Sequence, residues 1–134
     1  METLSFMDLL VLTTAALLII SKFFDCYTTH KYIDRSRETN PIGARLMELL
    51  GEKTAIWAIF LFVLLLVSAS AAYYFLFPSL FYGISFVILG AVVSTIQFAV
   101  AHFNYSFSKG KTVRNPLIKM TLLLHQRLKN VKLR

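Results

Sequence analysis

The chain has 134 residues, 57% of them hydrophobic and 16% charged, where a water-soluble domain carries about a quarter charged residues. That length is one domain's worth, and from Thr54 to Ser108 there is no Asp, Glu, Lys or Arg, which excludes the surface of a soluble globule and reads as two membrane-spanning helices joined by a tight turn. The net charge of +7 would point to nucleic acid in a soluble protein, but eight of the basic residues lie beyond Ser108, and basic flanks mark the cytoplasmic face of membrane proteins, so no nucleic-acid partner is expected.

In chain order, the first element is a span from about 6 to 24, with Asp8 at its outer end and Lys22 near its inner end. There a lysine stem reaches the headgroups. The segment before it carries Glu2 and Asp8 and no Lys or Arg; a secretory signal starts basic, so this is expected to be a retained span. The helix is expected to run on past the bilayer to about Tyr32. Next comes "NPIGARLMELLG", with Asn40 as N-cap, Pro41 at the first helical position and Gly51 at the end. It predicts a short helix over about 40–51 with Ile42, Leu46, Leu49 and Leu50 on one face.

The second and third spans are expected at about 55–77 and 80–103. Pro78 and Ser79 supply the turn between them, because proline loses a donor and clashes inside a helix. Tyr73, Tyr74, Phe75, Phe77, Phe81 and Tyr82 cluster around that turn, and amphipathic aromatics favour the membrane interface. Small residues four apart, Ser68 with Ala72 and Gly90 with Ser94, let helices approach closely.

A last amphipathic helix is expected at about 115–133. Leu117, Met120, Thr121, Leu124, Leu128 and Val131 form its stripe, with Lys119, Arg127, Lys129 and Arg134 mostly off it. Its partner would be anionic lipid headgroups. The two Asn-Pro starts hint at a parallel pseudo-repeat, each a span followed by a surface helix.

Orientation follows from basic residues in the short flanks. Five lie between Lys31 and Lys53 and eight in the tail, while the N-terminus and the Pro78 turn hold none. The N-terminus is therefore expected outside and the first loop and tail inside. The fold class is all-α integral membrane, with three transmembrane helices and two amphipathic inner-surface helices.

Depth brings together the residues that could carry chemistry. Asp25, Thr28 and Thr29 fall at the inner end of span one and are neighbours at spacings of three and four. His102 and Asn104 fall at the inner end of span three, and Glu38 and Asn40 lie in the connecting loop. As a pocket, Asp25 would be the anion, His102 a base or ligand, and the threonines and asparagines hydrogen-bonding groups; ionisable groups at membrane depth are often functional. The competing reading is a structural polar knot, since Thr and Asn commonly bond neighbouring spans. Catalysis is the least favoured reading. Cys26 is the lone cysteine, and no phosphate loop, metal-ligand motif or hydrolase motif is present; no cofactor or metal is expected.

"DCYTT" at 25–29 followed by "ETNP" at 38–41 resembles the pattern of certain small, uncharacterised prokaryotic multi-pass membrane proteins, in which an Asp-x-x-Thr-Thr helix end precedes a Glu-x-Asn-Pro turn. The resemblance covers about 20 residues and implies motif roles for Asp25, Thr28, Thr29, Glu38, Asn40 and Pro41. It implies the plasma membrane of a prokaryote and no particular activity. The expected role is an interaction or accessory subunit of a membrane assembly, partnered by other membrane helices in a homo- or hetero-oligomer. The alternatives are an oligomeric transporter or ion-site protein built around Asp25, and a membrane enzyme acting on a lipid headgroup at the inner face.

Overall fold

A computed structural model describes residues 5–32 and 41–108, and every element among them is helical. They form α1 (Phe6–Tyr32), α2 (Pro41–Leu50), α3 (Glu52–Leu76) and α4 (Leu80–Ser108). The α1, α3 and α4 helices are long and apolar enough to cross a membrane. At 27 residues α1 extends about 40 Å, against a hydrocarbon core of about 30 Å. It therefore carries its last two turns, with Asp25, Thr28 and Thr29, beyond the stretch read as the span. The second surface helix at 115–133 lies outside the described residues.

The local reasons for these limits are visible. Pro41 opens α2 where its missing N–H costs nothing. The N–H of Gly51 then closes α2 on the carbonyl of Met47 at 3.0 Å. Gly51 has φ of 82°, a left-handed conformation that glycine adopts without a steric penalty, and it turns the chain directly into α3. Phe77, Pro78 and Ser79 break α3 from α4, and the Phe77 N–H caps the Tyr73 carbonyl at 2.9 Å.

The packing centres on α1, which lies against both α3 and α4. The α1–α4 pair runs parallel in a constant register. Ser21 meets Gln97 and Thr28 meets Asn104, each pair 76 positions apart, and Thr14 meets Gly90 at the same offset one heptad earlier. A seven-residue repeat held along two parallel helices is the geometry of a shallow left-handed crossing. Gly90 is what allows it. A Cβ there would run into the Thr14 methyl, with Leu18 Cδ1 3.2 Å away. The Asn-Pro pairs at 40–41 and 115–116 are separated by nearly the same number of positions as the helices they follow.

The α1–α3 pair runs antiparallel. Asp8 meets Tyr74 at one end, Ala15 and Leu18 pack with Val67 in the middle, and Phe23 and His30 meet Trp57 at the other. There α2 joins them, burying Met47 with Cys26, Ala55 and Ile56. Its Leu46 is partly buried, while Ile42, Leu49 and Leu50 are exposed. Of the two small-residue pairs, Gly90 and Ser94 are buried, and Ser68 and Ala72 on α3 are exposed.

Candidate functional site

The polar side chains gather along α1 on the sides that face α4 and α3. Ser21 is fully buried. Its hydroxyl donates to Gln97 Oε1 at 2.7 Å and also lies 3.1 Å from the Leu18 carbonyl. One heptad on, Asn104 Nδ2 donates to Thr29 Oγ1 at 3.1 Å and, more weakly, to Thr28 Oγ1 at 3.4 Å. Thr28 Oγ1 donates back to the Phe24 and Asp25 carbonyls at 2.9 and 3.1 Å. Both residues of the Thr28–Asn104 pair are buried. In this local network the Thr28 hydroxyl uses its own helix's carbonyls as acceptors while the Asn104 amide crosses to both threonines.

Asp25 does not join that network through its carboxylate. Its partner is Lys22, at 2.7 Å from Oδ2, and the two side chains are only 16% and 15% exposed. The pairing follows from helix geometry, since residues three apart share a face, and from the cost of leaving either charge alone with so little water. His102 is on an exposed side of α4, where Nε2 lies 3.4 Å from the hydroxyl of Ser106. It lines a groove of about 540 Å³ between the ends of α1 and α4, whose other wall includes Thr28 and Lys31. So the structure brings Thr28, Thr29 and Asn104 together, pairs Asp25 within its own helix and puts His102 in the groove. Glu38 and Asn40 lie outside the described residues.

Three further arrangements carry polar groups. Asp8 at the opposite end of α1 accepts from the Tyr74 hydroxyl at 3.0 Å and from the Ser5 N–H at 2.8 Å. Ser94, buried on α4 between Gly90 and Gln97, has a hydroxyl without a partner among the described residues. His30 is half-buried with its ring 6.0 Å from Trp57 and its Nδ1 likewise unpartnered. The Ser21–Gln97 contact joins two residues that each lie on a polar helical stripe, Ser21 with Thr28 and Gln97 with Asn104, but the spacing alone does not pair them. The Lys22–Asp25 pair is a three-residue spacing that could have been read directly. The Asp8–Tyr74 bond had no sequence signal beyond an acid at one span end and a tyrosine at another.

Chemically, an aspartate neutralised by lysine at 2.7 Å is neither a free general base nor an open cation ligand. Among the described residues no three His, Cys, Asp or Glu side chains converge as a metal centre requires. No family model matches the chain, and neither does any curated protein or any solved structure.

Proposed function

We propose that this protein is a small integral membrane protein that acts as an interaction or accessory subunit of a membrane assembly. One observation carries the reading: a face of α3 with the spacing of a helix contact stays exposed among the described residues. Ala58, Leu61, Leu65, Ser68 and Ala72 follow each other at alternating spacings of three and four, and all are exposed. That is the seam of a left-handed helix pair, with small residues at the end where backbones approach closely. The bonding of Asn104 to Thr28 and Thr29 supports the same reading, because it commits those groups to holding α1 and α4 together, and the pairing of Lys22 with Asp25 leaves that carboxylate occupied within α1. It also offers a structural task for the Asp-x-x-Thr-Thr pattern, in line with membership of the small prokaryotic membrane proteins it resembles.

The orientation proposed is N-terminus outside, with α2 and the tail at the cytoplasmic face of a prokaryotic plasma membrane. In it, the exposed Ile42, Leu49 and Leu50 of α2 rest on the inner leaflet, and the basic tail meets anionic headgroups. The test is purification from mild detergent followed by native mass spectrometry. The expected result is a complex larger than the 15.3 kDa protomer. Ala72→Phe should dissociate that complex without loss of helical circular dichroism. A protomer alone in every mild detergent, unchanged by Ala72→Phe, would reject the subunit role. Cysteines placed at Ser79 and Ser108 should label from opposite sides; labelling from one side would reject the three-span arrangement.

A further inference from the structure

We propose that the groove between the C-terminal ends of α1 and α4 holds one anionic phospholipid. Its phosphate would sit at Lys31 and an acyl chain would lie along Phe24 and Phe98. The lining is divided along the helix axes. Phe24 and Phe98 form the part nearer the middle of the spans, their rings 6.3 Å apart. One to two turns further on, the walls become Tyr27, Lys31, Tyr32, His102 and Tyr105. A ligand that fits this division is apolar at one end and polar at the other, and it lies parallel to the helices.

The charge at the polar end selects the sign of the headgroup. Lys31 Nζ donates to the Tyr27 hydroxyl at 3.4 Å and lies 5.6 and 5.5 Å from the ring centroids of Tyr27 and Tyr32. Those distances are within the range of cation–π attraction. Tyr32 is braced in turn against Tyr105 on α4, ring centroids 6.0 Å apart. The ammonium is thus positioned by aromatic rings rather than by an acid. By contrast, Lys22 and Arg45 each have a carboxylate, Asp25 and Glu48, and among the described residues no carboxylate pairs with Lys31. An exposed cation, positioned by rings and without a carboxylate partner among the described residues, beside an apolar slot at a span end matches a phosphate on a lipid. Tyrosine hydroxyls and the His102 ring are at hand for the phosphate oxygens. The occupant is a membrane lipid rather than a soluble phosphate because the Phe24–Phe98 part of the groove has nothing polar to offer one.

This inference rests on the membrane placement proposed above, not on the subunit role. The experiment uses the full-length protein in non-ionic detergent, titrated with long-chain phosphatidylglycerol or phosphatidylcholine and read by native mass spectrometry. One phosphatidylglycerol should bind in preference to phosphatidylcholine. Lys31→Gln should weaken phosphatidylglycerol binding about fivefold, the loss of one basic contact to an anionic surface. Lys53→Gln should leave it unchanged, and Phe98→Ala should weaken both lipids while keeping the preference between them. Unchanged preference in Lys31→Gln would overturn the proposal, as would competition by glycerol 3-phosphate as effective as by the intact lipid. Wild-type protein extracted from membranes by alkaline carbonate would instead sink the membrane placement, and an exclusively protomeric mass only the subunit role.

Discussion

The two faces of α1 are packed by different means. Toward α4 the contact is parallel and its buried centre is small and polar, with the Phe24–Phe98 and Tyr32–Tyr105 ring pairs at its margin. Thr14 lies on Gly90, Ser21 bonds Gln97, and Thr28 and Thr29 meet Asn104. Toward α3 it is antiparallel and mostly aliphatic and aromatic, with Ala15 and Leu18 against Val67 and Phe23 against Trp57 and Phe60. Inside a bilayer the second kind has little hydrophobic drive, because lipid tails are as apolar as the side chains. It gains from shape alone and tolerates sliding. The first kind ties each heptad to one partner, since a slip of one residue leaves Gln97 and Asn104 facing the wrong groups. Register is therefore set on the α4 side, and the α3 side conforms to it.

The sharpest way to break this difference is Gly90→Val. The added carbons run into the Thr14 methyl, and overpacking of this sort costs about 3 kcal/mol. Thermal unfolding in detergent should show it, and adding Thr14→Ser, which removes that methyl, should restore part of the loss. Full destabilisation in the double variant would mean that Gly90 matters for some other reason.

Lys22→Met comes next. It strands the Asp25 carboxylate at 15% exposure, and because some water remains the expected cost is about 2 kcal/mol, below that for a fully buried pair. Asp25→Leu added to Lys22→Met should recover most of it. If the double variant is worse than the single one, the ion pair does more than neutralise itself.

Asn104→Ala removes the one amide bridging both threonines and should cost about 1 kcal/mol, the usual size of a hydrogen bond between membrane helices. Smallest is Tyr74→Phe, which deletes the hydroxyl on Asp8 and should cost about 0.5 kcal/mol. This is the one hydrogen bond described on the α1–α3 face. Should Tyr74→Phe prove more damaging than Asn104→Ala by chemical denaturation, the assignment of register to the α4 side would be reversed.

The helical class, the three long apolar segments and the turn at Pro78 were legible in the sequence. Each depends on local chemistry: the length of a charge-free run, a proline without a donor, a glycine able to take positive φ. The two polar stripes, Ser21 with Thr28 and Gln97 with Asn104, were legible as stripes for the same reason, because helical spacing is a property of one segment. Whom each stripe meets was not. That α1 lies between α3 and α4, that Gly90 is filled by Thr14 while Ser68 and Ala72 stay open, and that His102 turns into a groove with Lys31 depend on the rotation of each helix about its own axis. Rotation is decided by the joint packing of three surfaces. Asp25 marks the boundary between the two kinds of knowledge. Its depth near a span end followed from counting residues, but its pairing with Lys22 while Asn104 bonds the two threonines depends on how α1 and α4 are rotated against each other.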